Sequence, residues 1–116
     1  MGDVSKNFSR KEFACKCGCA YDTVDARLIH FLEMIRERFG APVKINSGCR
    51  CSSYNMKVGG SLHSQHLLGR AADIVVDGVP PDAVADYAES IGAPGVGRYA
   101  TFTHIDSRNT VSRWRG

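Results

Sequence analysis

Two imidazoles and one carboxylate stand in a pattern that could hold a metal ion. His66 and Asp73 lie close together in the sequence, with Gly69 between them to allow a tight turn, and His104 follows late in the chain. Two histidines and an acid are a common ligand set for catalytic zinc, which keeps one position open for a water. We therefore expect one zinc ion at His66, Asp73 and His104; the alternative is a surface His66 without a ligand role.

Five cysteines offer a second set of metal ligands. An odd number cannot pair completely within one chain. A structural zinc closes with four ligands, and a candidate set of four is Cys15, Cys17, Cys19 and Cys51. Because their spacing lacks the paired two-residue gaps of zinc ribbons, reduced and partly buried thiols are the default expectation and the second zinc is the alternative.

Two amphipathic segments predict the helices that support these residues. Apolar residues recur at steps of three and four over 24–39, and Gly40 and Pro42 end that segment. Helical spacing returns over 80–91, with proline near the first turn and Gly92 at the end. Shorter turns are predicted over 52–58 and where Ser9 and Glu12 have capping-box spacing.

Four short β-rich segments complete the predicted fold. They cover 43–47, 72–76, 95–99 and 101–107, without the regular alternation of a βαβ protein. The predicted class is therefore α+β, with a small antiparallel sheet that carries the metal ligands and is flanked by helices. A chain of 116 residues suits one domain over 1–116.

Composition limits the partners that this chain is expected to have. Hydrophobic residues make up 43% and charged residues 23%, as in soluble globular proteins. The net charge is +3, and the positively charged residues are scattered along the chain, which argues against nucleic-acid binding. No apolar run reaches membrane-spanning length. The N-terminus lacks a basic start and an apolar stretch, so we expect the chain to be made in the cytoplasm without a signal peptide. We also expect it to be a monomer.

A longer motif contains the first two candidate ligands. It reads Ser64-Gln-His66-Leu-Leu-Gly69-Arg-Ala71-Ala-Asp73. This string resembles the Ser-x-His-x-x-Gly-x-Ala-x-Asp signature of zinc D-alanyl-D-alanine peptidases, whose superfamily includes lysostaphin-type enzymes and the hedgehog signalling domain. The resemblance continues through 7–13, 45–50, 95–99 and 104–106, and it implies the same three zinc ligands.

The resemblance also implies how substrate is held and activated. Arg50 matches an arginine that would clamp a substrate carboxylate or carbonyl through charge-assisted hydrogen bonds. The family often has an acidic general base three residues before the last histidine, where this chain has Thr101. Asp106 is the preferred base instead, because its spacing from His104 on a strand points both side chains to one face. Alternatively, Asp106 only orients an imidazole.

Two further residues are candidates with a plain alternative each. His63 could shuttle a proton or bind the tetrahedral intermediate, or it could simply be exposed. Tyr99 could line the cleft and bind substrate, or it could be a core aromatic with a solvated hydroxyl.

The function implied by the resemblance is hydrolysis of peptide bonds in bacterial peptidoglycan. Both a carboxypeptidase and an endopeptidase acting on stem peptides or cross-links fit. An origin in a phage or prophage is expected, with the enzyme reaching the wall after release, as endolysins do, or in the virion. The alternatives are a zinc-binding module that does not hydrolyse, as in hedgehog domains, and a structural phage protein with a cysteine-built metal knob.

Overall fold

The predicted amphipathic segments form the two longer helices of the structure, a computed structural model that describes residues 3–19, 21–61 and 64–116. Helix α1 covers Ala26–Phe39; the Asp25 side chain caps its start, and Gly40 ends it in a left-handed conformation at φ 59°. Helix α2 covers Ser52–Lys57, and α3 covers Pro81–Ser90. No helix among these described ranges is long and apolar enough to cross a membrane.

Five strands form one mixed sheet. They are β1 (Val43–Ser47), β2 (Ala71–Val76), β3 (Gly95–Arg98), β4 (Thr103–Asp106) and β5 (Ser112–Arg115), in the spatial order β1-β2-β4-β3-β5. The first four pair antiparallel, whereas β5 runs parallel to β3 at the edge. The α+β class is thus confirmed. Strand β5 was not predicted, because its sequence Ser-Arg-Trp-Arg has no alternation of apolar residues.

The two faces of the sheet have opposite chemistry. Ile74, Val96 and Ile105 point into the hydrophobic core, where they meet apolar residues from α1 and α3. Because side chains alternate along a strand, Asp73 and His104 point to the other face. Helices therefore support the sheet from behind the predicted ligands.

Two short 3₁₀ helices lie in the segments that precede α1 and β2. The first covers Arg10–Phe13 and has the predicted capping box, in which the Ser9 amide donates to the Glu12 carboxylate at 2.6 Å. The second covers Gln65–Leu68 and carries His66. Each 3₁₀ helix is linked to the segment that follows β1, since Cys49 donates to the Phe13 carbonyl and Arg50 donates to the His66 carbonyl.

Candidate metal centre

His66 is held by local capping and by the chain that leaves β1. The Ser64 hydroxyl accepts from the His66 amide, and Gly69 ends the 3₁₀ helix at φ 67°. A side chain at Gly69 would also run into the backbone of Thr23. The imidazole is only 3% exposed, and its Nδ1 lies 2.6 Å from the carbonyl oxygen of Gly48. These contacts explain the serine and glycine that flank the histidine in the motif.

Asp73 and His104 are brought together by strand register. They lie directly opposite each other on the antiparallel neighbours β2 and β4. Asp73 Oδ1 lies 2.9 Å from His104 Nδ1 and 3.4 Å from His66 Nε2. The three candidate donor atoms all lie within 4.8 Å of one another, so the three residues that we predicted as ligands converge on one point.

The tautomers that the two imidazoles adopt when neutral can be deduced from their other contacts. A backbone carbonyl only accepts, so His66 carries its proton on Nδ1 and keeps a lone pair on Nε2. His104 Nε2 lies 2.7 Å from the Asp106 carboxylate and donates to it, which leaves a lone pair on Nδ1. Both lone pairs therefore face the same anionic oxygen of Asp73.

Three such donor atoms this close together are stabilised by a positive charge, carried either by protons on the imidazoles or by a metal ion between them. When both rings are protonated, their hydrogen bonds to Asp73 outweigh the effect of burial, which alone would raise its pKa, and hold that pKa below its usual range. Burial opposes a charged His104, yet its bonds to Asp106 and Asp73 raise its pKa. Two zinc ligands at about 2.1 Å in tetrahedral geometry lie about 3.4 Å apart, close to the separations seen here. The donor set therefore fits zinc in chemistry and in size.

Arg50 makes its hydrogen bonds to Asp73 and to the residues around it, and only part of its guanidinium is left for the open cleft. Its guanidinium donates to the second oxygen of Asp73 at 3.3 Å, to Asn55 at 3.2 Å and to the Ser47 hydroxyl at 3.1 Å. Asn55 is itself buried and anchored to the carbonyl of Ser61. Arg50 thus fixes the rotamer of Asp73 and leaves Oδ1 for the metal, with two of its five N–H groups uncommitted by these bonds. The predicted clamp on substrate can therefore use only these two N–H groups.

The contacts of Asp106 suit orientation of His104 better than the predicted role of general base. Its side chain is fully buried, and Arg108 donates to both of its oxygens at 2.6 and 2.8 Å. Burial would raise its pKa, but the hydrogen bonds of His104 and Arg108 lower it to about 2. A carboxylate with such occupied oxygens and such a low pKa is a poor proton acceptor. The geometry therefore favours the second of the two predicted roles, orientation of His104.

The centre opens into a cleft of about 730 Å³ with an aromatic wall. Tyr99 stacks on Phe102 with ring centres 4.4 Å apart, and the Trp114 indole N–H donates to the Tyr99 hydroxyl at 2.8 Å. Trp114 also packs on His104 at 4.9 Å, and the Arg108 guanidinium lies over its indole ring at 5.0 Å. Tyr99 therefore lines the cleft, and its hydroxyl proton stays available to a ligand.

Arg108 and Trp114 were missed as site residues from the sequence. Both reach the site from β5 and the segment before it, and neither belongs to a motif with a metal-ligand spacing. The signal that could have found them lies in β3. A Cβ on Gly95 would clash with the Asp106 carboxylate at 1.9 Å, and one on Gly97 would clash with the Trp114 indole at 2.5 Å. The Gly-x-Gly pattern thus indicates that two side chains, those of Asp106 and Trp114, pack directly against the backbone of β3.

Two residues that bear on proton transfer remain to be placed. Thr101 is exposed in the connection between β3 and β4, and no acidic residue other than Asp73 lines the described part of the cleft. His63 lies outside the described residues. Its sequence neighbours Ser61 and Ser64 both line the cleft.

Comparison with known proteins shows which family the chain is similar to. Residues 6–106 match the peptidase M15 family. The chain is also similar to a protein of Haemophilus influenzae named "Probable peptidoglycan L,D-endopeptidase MepK", with 35% identity over 83 residues. That alignment covers 66% of this chain but 44% of the relative, so the chain spans less than half the length of the curated relative that it matches.

Proposed function

The chain belongs to the peptidase M15 family, a family of hydrolases, and we propose that it is a zinc-dependent endopeptidase of bacterial peptidoglycan stem peptides or cross-links. One observation carries the proposal: His66 Nε2 and His104 Nδ1 both face Asp73 Oδ1, while the other nitrogen of each ring is already hydrogen-bonded. A zinc ion held by these atoms would polarise the scissile carbonyl and lower the pKa of a water.

The remaining residues of the cleft take roles that follow from their contacts. Arg50 holds Asp73 in place, and its two remaining N–H groups can donate to a substrate carbonyl. Tyr99 accepts a hydrogen bond from Trp114 and keeps its own proton to donate to the charge that develops on the carbonyl oxygen. Asp106 keeps His104 in the tautomer that presents Nδ1.

The charges of the cleft favour cleavage within a peptide over removal of its last residue. A carboxypeptidase needs a cation that is free to bind the terminal carboxylate of its substrate. The two arginines that line the described part of the cleft are both paired already, Arg50 with Asp73 and Arg108 with Asp106. The similar Haemophilus influenzae protein is named as a probable peptidoglycan L,D-endopeptidase, which supports the endopeptidase proposal.

The bond that is cut can be read from the products. Purified peptidoglycan incubated with the zinc-loaded chain is expected to release shortened or uncrosslinked peptides, identified by mass spectrometry. A carboxypeptidase would release only free D-alanine, which would contradict the endopeptidase proposal. Loss of the products on chelation and their return with zinc would tie the activity to the metal.

A second candidate function is a zinc-binding module that does not hydrolyse. It is favoured by the exposed Thr101 in the place of the family's acid and by the lack of a free carboxylate along the described part of the cleft. In that case purified peptidoglycan would retain the zinc-loaded chain in a sedimentation assay and yield no new peptides.

Replacing Asp106 with asparagine separates orientation from catalysis. Because the amide oxygen can still accept from His104 but carries no charge, we expect the affinity for zinc to fall about 10- to 100-fold. Saturating zinc should restore most of kcat if Asp106 only orients the imidazole. A loss of kcat that excess zinc does not repair would instead identify Asp106 as the base. Zinc titration with a competing chelator, followed by turnover at saturating metal, measures both quantities.

A further inference from the structure

Four of the five cysteines form a compact cluster away from the catalytic ligands. Cys15, Cys17 and Cys19 come from the loop after the first 3₁₀ helix, and Cys51 lies at the start of α2. Their sulfurs all lie within 4.8 Å of one another, and Cys15 to Cys17 measures 3.4 Å, Cys15 to Cys51 3.8 Å and Cys17 to Cys51 3.7 Å. Segments far apart in sequence therefore place four thiols around one point.

The spacing of the sulfurs fits a single tetrahedral ion. With zinc–sulfur bonds of about 2.3 Å, the sulfurs of a tetrahedral site lie about 3.8 Å apart. A disulfide would need about 2.05 Å between two sulfurs, far below the distances here. Iron–sulfur clusters place several iron and sulfide atoms between their cysteines, and a set this compact leaves no space for them.

Backbone amides point at two of these sulfurs. The amide of Cys51 donates to Cys15 Sγ, and the amide of Tyr54 donates to Cys51 Sγ, both at 3.4 Å. Hydrogen bonds of this kind stabilise thiolates, which are the form that binds metal. They belong to the cap of α2, so the fold of the helix itself prepares the site.

The fifth cysteine is excluded from the cluster by its own contacts. Cys49 is 2% exposed, and its thiol donates to the carbonyl of Tyr21 at 2.9 Å. The odd number of cysteines thus divides into four ligands and one buried thiol.

We propose that Cys15, Cys17, Cys19 and Cys51 bind a second, structural zinc ion. The ion ties the loop 15–19 to the residue that follows Arg50 and to the helix that carries Asn55, a partner of the Arg50 guanidinium. It therefore stabilises the support of Asp73 from outside the cleft. The proposal goes beyond peptidase activity and does not depend on it.

Metal counting in variants tests this site separately from the catalytic one. The full chain, purified in reductant without chelator, is expected to hold one zinc at each group, and His66→Ala is expected to keep the cysteine-bound ion only. Replacement of zinc by cobalt(II) in His66→Ala should give the strong near-ultraviolet charge-transfer band of thiolate ligation. The double variant Cys17→Ser/Cys19→Ser should lose that band, and the matched control Cys49→Ala should keep it.

The outcomes that would overturn the site are equally specific. The proposal fails if His66→Ala binds no metal or shows no thiolate band with cobalt, since that variant leaves the cysteines intact. It also fails if mass spectrometry finds the four cysteines in disulfides in protein purified with reductant. Because the His66→Ala arm needs no change among the cysteines, misfolding of the double variant does not affect the test. A native chain with one zinc, unchanged in His66→Ala and still showing the band, would contradict the catalytic centre alone.

Discussion

His66→Ala is expected to remove the catalytic metal and to lower peptidoglycan cleavage by about 10³-fold or more, because the metal supplies several kcal/mol of transition-state stabilisation. His66 is buried, and its Nε2 is one of the three atoms that face the centre. Among the described residues no other donor faces the centre in its place, since Asp73 already uses its second oxygen to bind Arg50. The measurements are zinc per chain and the rate of peptide release from purified peptidoglycan.

His30→Ala provides the matched control for this substitution. His30 is exposed on α1, behind the sheet and away from the metal centre. The control should keep both the zinc content and the rate of the native chain. If His66→Ala cleaves peptidoglycan as fast as His30→Ala, the proposed metal centre has no role in the activity.

His63→Ala is expected to lower kcat by about 10²- to 10⁴-fold while the zinc content stays unchanged. The described part of the cleft offers no free carboxylate as a base, because both oxygens of Asp106 are occupied and Asp73 is a predicted ligand. Thr101 cannot accept a proton near neutral pH. A histidine base must be neutral to act, so the native rate should fall at acid pH, where an imidazole becomes protonated. This acid limb should disappear from the pH profile of the variant.

Added imidazole supplies the control for the role of His63. A small base that diffuses into the cleft should restore part of the lost rate in His63→Ala but not in His66→Ala, where the metal itself is lost. An unchanged kcat in His63→Ala would show that the base lies elsewhere. A lower zinc content would instead mean that His63 supports the metal and not the proton transfer.

The helices and four of the strands could be predicted because their signals are local. The apolar period of α1 and the turn at Gly40 follow from residues that are neighbours in sequence. Strand β5 could not be predicted, since it is stabilised by pairing with β3 and by the contacts of Trp114, which are not visible in the local sequence. The parallel edge strand is a product of tertiary structure.

The side chains that converge at the candidate metal centre could be predicted from residue types together with the family motif, but their supports could not. The partner of His66 is the main-chain carbonyl of Gly48, an atom that every residue has and that no motif marks. For Asp106, strand spacing correctly placed the side chain on the face of His104. Only the geometry shows which nitrogen it meets and that Arg108 occupies its oxygens. The division of the cysteines likewise depends on the burial of Cys49.

The two glycines of β3 limit how this chain can vary over evolution. Gly95 and Gly97 leave the volume into which a carboxylate and an indole fold, and Val96 between them fills the core on the opposite side. Val96 can be replaced by another apolar residue, whereas at 95 or 97 even one added methyl group would displace a side chain of the centre. Sequence drift in β3 should therefore be confined to every second position.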